Sequence, residues 1–235
     1  HTDETMAQAL DRVDTSAYAT FIKANGLRLY TIIAGPRDAP LVLLLHGFPE
    51  AWYSWRHQIP QLVQAGYRVV ALDQRGYNLS EKPWGIEAYS TDHLVSDARE
   101  MIWTLGYERA TVVGHDWGGV VAWRLAMDYP EAVEKLIVMN APHPQAFAHA
   151  LQIGWQQRLK SWYVLFFQIP WLPETLLTFS PQATARLFFR RTAVRQTAFS
   201  DTDLEVMATA LAQPGAMNAM INWYRASSAD VPPMD

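Results

Sequence analysis

Not one cysteine occurs among the 235 residues. Neither a disulfide nor a thiolate metal site is therefore available, and cysteine usage leaves the redox compartment undetermined. Positive charge is scarce as well. Lys and Arg number 19 against 23 Asp and Glu, a net charge of −4, which supplies no basic footprint for nucleic acid and no polybasic patch for a membrane surface. Long apolar runs are missing. The most apolar stretches, LVLLL (41–45) and YVLFFQIPWL (163–172), fall far short of a bilayer span. The opening HTDETMAQALD lacks the positive and apolar regions of an intact leader, so a cytoplasmic place is the expectation. Absent too are a Gly-x-Ser-x-Gly, a glycine-rich phosphate loop, a dinucleotide fingerprint and any His/Asp/Glu cluster at metal-ligand spacing. An ordinary serine esterase is thereby disfavoured, and no cofactor or metal is implied.

What is present is apolar and aromatic. Half the residues are apolar and 18% charged, a balance suited to one sizeable core, with or without an appended domain. Segment 18–35 alternates with period two on both sides of Ala-Asn-Gly, the pattern of a hairpin. LVLLLHG (41–47), YRVVALD (67–73), ATVVGHD (110–116) and KLIVMNAP (135–142) are continuous apolar runs, as expected of strands buried on both faces. Helical patterns lie between them at 54–66 and 90–106. The second opens on a cap-forming Ser-Thr-Asp and places Leu94, Val95, Ala98, Met101, Ile102 and Leu105 on one face. Strands alternating with helices predict an α/β fold, a mostly parallel sheet with helices on both faces, over residues 1–145. From 146 to 228 the strand signal disappears. There the chain reads as helices interrupted at Pro170, Pro173, Pro181 and Pro214, an all-helical lid after the sixth strand, and 229–235 read as a linker.

The chemistry concentrates at Gly114-His115-Asp116-Trp117-Gly118-Gly119, where a strand meets a helix. Small residues around one polar side chain are what a nucleophile elbow needs. The turn would push Asp116 above the sheet and leave the Trp117 N–H free at a helix N-terminus to stabilise negative charge. A helix-capping Asp is the plain alternative, but a cap does not call for three glycines. A carboxylate nucleophile is a poor acyl acceptor, yet it can displace at saturated carbon and form an alkyl ester. Epoxides and alkyl halides are then the natural substrates. Hydrolysis of the ester needs a general base and a second oxyanion donor. The Phe48 N–H, in His46-Gly47-Phe48-Pro49 after the third strand, is placed to be that donor.

Taken together, HGFPE-WYSWR, DQRGYNLSEKP (73–83), GHDWGG and NAPHP (140–144) resemble the epoxide hydrolases of the α/β-hydrolase fold. That resemblance implies Asp116 as nucleophile and Phe48 and Trp117 as the oxyanion hole. Through WYVLFFQIP (162–170) and NWYRA (222–226) it further implies Tyr163 and Tyr224 as the phenols that polarise the epoxide oxygen. Two phenol O–H donors suit a developing alkoxide. From spacing alone each tyrosine reads more simply as packing. The haloalkane dehalogenases, the nearest rival, are similar at the elbow but resemble HGNP where Phe48 stands here. An inactive binding or assembly partner is the reading from a different class.

The implied partner is a small-molecule epoxide. His46, Pro49, Trp52 and Phe167 are candidates for the substrate pocket, and core packing is as good a reading for the aromatics. Asp73 and Arg75 read as a loop-stabilising ion pair. His46 and His115 read as groups that orient loops through backbone hydrogen bonds, His143 as a loop-positioning group, and His57, His93 and His149 as surface or satisfied histidines. The resemblance also implies two further strand–helix units after the lid, carrying the charge-relay acid and the general-base histidine. At roughly 30 residues per unit they would lie beyond Asp235, and Asn140 is no ionisable substitute for the acid. The last two strands of that fold are therefore absent from this sequence. The expectation is a piece of a larger polypeptide whose sixth strand exposes an apolar edge, covered by a C-terminal fragment or by a homo-oligomer.

Overall fold

The computed structural model describes residues 2–13, 16–146 and 162–229. β1 (Tyr18–Ala24) and β2 (Leu27–Ala34) form the hairpin, turning at Asn25 and Gly26 with φ of 48° and 79°, the positive values a two-residue turn of this hand demands. β3 (Leu41–Leu45), β4 (Arg68–Leu72), β5 (Ala110–His115) and β6 (Val133–Met139) complete one sheet in the order β1-β2-β4-β3-β5-β6. The last four strands run parallel and the hairpin antiparallel. α2 (Gln58–Gln64), α3 (Thr91–Thr104) and α4 (Trp117–Asp128) make the crossovers. β4 lies on one side of β3 and β5 on the other, so the direction of winding reverses between them. In an open sheet that switch point opens a crevice beyond the carboxyl ends of the strands. The ends of β3 and β5 are where Phe48 and Asp116 lie.

The continuous apolar runs behave as expected in β3, buried at all five positions, and nearly so in β4. β6 departs from the expectation of burial on both faces. It lies at the end of the sheet, with Ile137 49% and Met139 39% exposed. The amphipathic face read for 90–106 is the buried face of α3, with Leu105 half-buried. Ser90 stands at its N-cap without a side-chain hydrogen bond there.

Two features were not anticipated. α1 (Thr2–Asp11) is a helix in the stretch examined only as a possible leader. It buries Met6 and Ala9 and packs against the helix Asp201–Leu211. Arg75 does not pair with Asp73. Its guanidinium grips both carboxylate oxygens of Asp97 on α3 at 2.6 Å, while Asp73 accepts the Trp52 N–H and the Asn78 amide, each at 2.7 Å. Residues 73 and 75 serve different partners, which the short spacing conceals.

The helical segment comprises α5 (Trp162–Phe167), α6 (Leu172–Thr178), α7 (Pro181–Ala185), α8 (Asp201–Leu211) and α9 (Ala216–Ala229). Pro170 and Pro214 separate helices, whereas Pro173 and Pro181 open them, because a first-turn proline lacks only an N–H that would go unused. A capping box between Ser200 and Asp203 starts α8. Asp203 also receives Arg56 at 3.1 Å and the Tyr53 hydroxyl at 3.0 Å, tying this segment to the sheet layer. Residues 147–161 with His149, and 230–235 of the anticipated linker, lie outside the described residues. No helix among the described residues is long and apolar enough to cross a membrane.

Candidate active site

β5 ends at His115, and the chain turns through Asp116 at φ 52°, ψ −119° before α4 begins. A non-glycine residue held there stores strain on the order of 1–3 kcal/mol and needs its surroundings to enforce it. The glycines are needed for close approach. A Cβ on Gly118 would lie 2.1 Å from the Leu45 carbonyl oxygen, one on Gly114 2.3 Å from the Gly118 carbonyl oxygen, and one on Gly47 2.5 Å from Asp116 Cβ. Bare backbone at these positions lets the end of β3 press directly on the elbow.

That contact aims the Phe48 N–H at Asp116 Oδ1, 2.9 Å away, and the Trp117 N–H donates to the same carboxyl group. The Phe48–Pro49 peptide is cis. Burial raises the Asp116 pKa above the ordinary aspartate value. The two N–H groups oppose that rise, the Glu50 charge adds to it and His115 reduces it. The carboxyl group is thus held by backbone donors, with the Phe48 N–H on Oδ1.

A second pair lies beside the elbow. His115 Nδ1 is 3.1 Å from Glu50 Oε1, and Glu50 Oε2 accepts the Gly47 N–H at 3.0 Å. Pairing with Glu50 raises the His115 pKa against a smaller effect of burial. Glu50 is shifted down: burial alone would raise it, but the hydrogen bond and charge of His115, with the Gly47 N–H and the His46 charge, together outweigh that. His115 Nε2 lies 3.3 Å from the side-chain amide of Asn140. His115 is thus positioned by a carboxylate rather than by backbone hydrogen bonds. Glu50 is the site residue the sequence reasoning missed. A carboxylate ending His-Gly-Phe-Pro-Glu and a histidine preceding the elbow Asp, at the ends of two continuous apolar runs, were the available signal.

His46 does act through the backbone. Fully buried, it donates from Nδ1 to the Gly47 carbonyl at 2.9 Å and accepts the Gln74 N–H at Nε2, 3.2 Å. Burial lowers its pKa to about 4, so it is neutral at pH 7. His143 accepts the Gln145 N–H at 3.3 Å, and His57 and His93 are exposed.

Tyr224 on α9 is 6% exposed and Tyr163 on α5 is 42% exposed, with ring centroids 6.0 Å apart. Tyr224 meets Phe48, Trp117 and Phe167 edge-on or tilted, at 5.1, 5.1 and 4.8 Å. Burial first, and then the Asp116 charge, raises the pKa of both phenols, so both keep their protons at neutral pH. Phe167 thus joins the aromatic cluster against Tyr224. Trp52 does not, being fully buried with its ring against Tyr53. Tyr77 is buried against His46 and Trp223, and its hydroxyl has no hydrogen-bond partner among the described residues. Among those residues no group of three His, Asp or Glu side chains is placed to hold a metal.

The family model of the alpha/beta hydrolase fold matches residues 40–193. The AB hydrolase superfamily protein YfhM of Bacillus subtilis is 47% identical over 206 residues, 88% of this chain and 72% of that protein. Epoxide hydrolase 1 of Caenorhabditis elegans is 44% identical over 209 residues, 87% of this chain and 52% of its own length. The chain thus spans about half of that relative. The crystal structure of a variant epoxide hydrolase from Bacillus megaterium, complexed with its naphthyloxy-propanediol product, superposes with a TM-score of 0.81 at 36% identity, covering 88% of this chain and 71% of the other. With the strained strand-to-helix elbow, the switch-point sheet and these relatives in agreement, the chain belongs to the α/β-hydrolase fold family, as a homologue of its epoxide hydrolases.

Proposed function

We propose that this chain carries the ester-forming machinery of an epoxide hydrolase that opens an epoxide to a vicinal diol. The supporting observation is the meeting of three groups: a buried Asp116 carboxylate held through Oδ1 at 2.9 Å by the Phe48 N–H, and two protonated phenols on the facing helices. The free carboxylate oxygen attacks an epoxide carbon, and the carbon–oxygen bond of the ring breaks. The departing oxygen takes a proton from Tyr163 or Tyr224, and the resulting phenolate is reprotonated from solvent. The helical segment serves as the lid carrying these acids.

Oδ1, held by the Phe48 N–H, becomes the ester carbonyl, with the Trp117 N–H as its second donor. When water adds to that carbonyl, the same N–H groups stabilise the oxyanion, the acyl carbon–oxygen bond breaks and the diol leaves. This second step needs a general base. His46 is neutral but committed at both ring nitrogens, and His115 is tied to Glu50. With these two histidines so engaged, the ester is expected to form faster than it breaks. The product diol of the Bacillus megaterium relative supports the reaction class. The Phe48 ring meets Phe167, Phe188 and Tyr224 and offers no side-chain donor for a departing halide, which disfavours dehalogenation.

Intact mass spectrometry after incubation with styrene oxide tests the reading. One added epoxide mass is expected, and Asp116→Asn should abolish it. An unmodified mass on a chain with a folded circular-dichroism spectrum overturns the reading in favour of an inactive partner. Halide release from a bromoalkane without an epoxide adduct overturns it in favour of a dehalogenase.

A further inference from the structure

The two phenols reside on different helices, and something must set their separation. Three groups from α5 and the turn after it converge on α9 beside Tyr224. The Arg225 guanidinium donates from Nε to the Phe167 carbonyl at 3.0 Å and from Nη2 to the Ile169 carbonyl at 3.0 Å. Gln168 Nε2 reaches back to the Tyr224 carbonyl at 3.4 Å. Arg225 Nη1 is also anchored by Glu174 on α6 at 2.5 Å, with side chains only 11% and 14% exposed, and lies 3.4 Å from Asn222 Oδ1. A planar fork that reads two carbonyls and a carboxylate together is geometry that lysine cannot reproduce. The carbonyls it binds close the α5 end of the helix carrying Tyr163, and its own backbone neighbour is Tyr224.

We infer that Arg225 is a positioning residue for the ester-forming step: it staples α5 to α9 and thereby fixes the spacing of the Tyr163 and Tyr224 hydroxyls over Asp116. This rests on the roles proposed for the two tyrosines. Arg225 touches no reacting atom in this scheme and acts through the phenols. A phenol displaced by a fraction of an ångström to an ångström loses much of its donor advantage, since misplacement of that size costs up to ~10²-fold in rate.

The test is a double-substitution cycle on ester formation, read by mass against time. Arg225→Lys keeps the charge facing Glu174 and loses the fork. It should slow ester formation about tenfold in the unsubstituted chain, and less than about twofold when Tyr163→Phe has already removed one of the positioned donors. Equal slowing in both backgrounds would mean that Arg225 only maintains the fold, and overturns the inference. The cysteine-free sequence permits a second readout that needs no chemistry. Spin labels at Leu165→Cys on α5 and Asn218→Cys on α9 report the helix separation, which Arg225→Lys should widen or broaden. An unchanged distance overturns the inference even if the rate falls. Failure of the unsubstituted chain to form any adduct condemns the proposed function instead, and the label distance alone then decides the role of Arg225.

Discussion

The elbow and the helical segment hold their site residues by different means. Asp116, Phe48 and Trp117 are placed by main chain against main chain, with Gly114 and Gly118 so close to neighbouring carbonyl oxygens that no side chain fits. Tyr163 and Tyr224 are placed by side chains: aromatic edges at 4.8–6.1 Å and the Arg225 fork. Backbone packing has few alternatives and tolerates little error. Side-chain packing can be rebuilt with other residues. A site built across the two keeps its carboxylate on rigid backbone and leaves the phenols adjustable.

The contrast is broken most severely at Gly118. Alanine is the better helix former by about 1 kcal/mol, yet its Cβ would lie 2.1 Å from the Leu45 carbonyl oxygen inside packed backbone. Gly118→Ala should lower stability by about 3 kcal/mol in chemical denaturation, and a loss below about 1 kcal/mol would show that the elbow is not held by close approach.

In the helical segment the expected effect is kinetic. Tyr163→Phe with Tyr224→Phe should slow ester formation by about 10²-fold or more while leaving the denaturation midpoint nearly unchanged. A large fall in stability with little change in rate would make these phenols packing groups.

The smallest effect belongs to Glu50 and His115, whose partnership adds side-chain chemistry to the rigid side. His115 has a raised pKa in the folded state. The stability it contributes is fully present below its unfolded value near 6.5 and is lost as pH rises through the folded value. Glu50 has a lowered pKa, so its contribution is present above its ordinary value of 4.5 and is lost as pH falls through the folded value. The pair therefore contributes most between those two ordinary values. Glu50→Gln should cost about 1.5 kcal/mol there and flatten the decline in stability above pH 6.5. A parallel pH profile in the variant would separate His115 from Glu50.

Legibility in the sequence followed the same division. The elbow could be read from GHDWGG and its partner loop from HGFP, because strained backbone demands small residues at fixed offsets. The run LVLLL announced a buried strand and 90–106 an amphipathic helix, since both periodicities are local. Arg75 was assigned the wrong carboxylate because Asp97 is 22 residues away and only the packing of α3 brings it near. Glu50 escaped notice for the same reason, its partner lying 65 residues on. α1 is not legible because its few apolar residues acquire meaning only against α8.

By itself, then, the sequence determined the parallel α/β layering, the elbow and the carboxylate on it, because each follows from local periodicity and local steric need. Tertiary structure alone decided what surrounds that carboxylate. The backbone donor at 2.9 Å, the histidine–glutamate pair beside it and the 6.0 Å spacing of the tyrosine rings all join residues far apart in the chain. Their energies depend on distances and burial that exist only once the layers have packed.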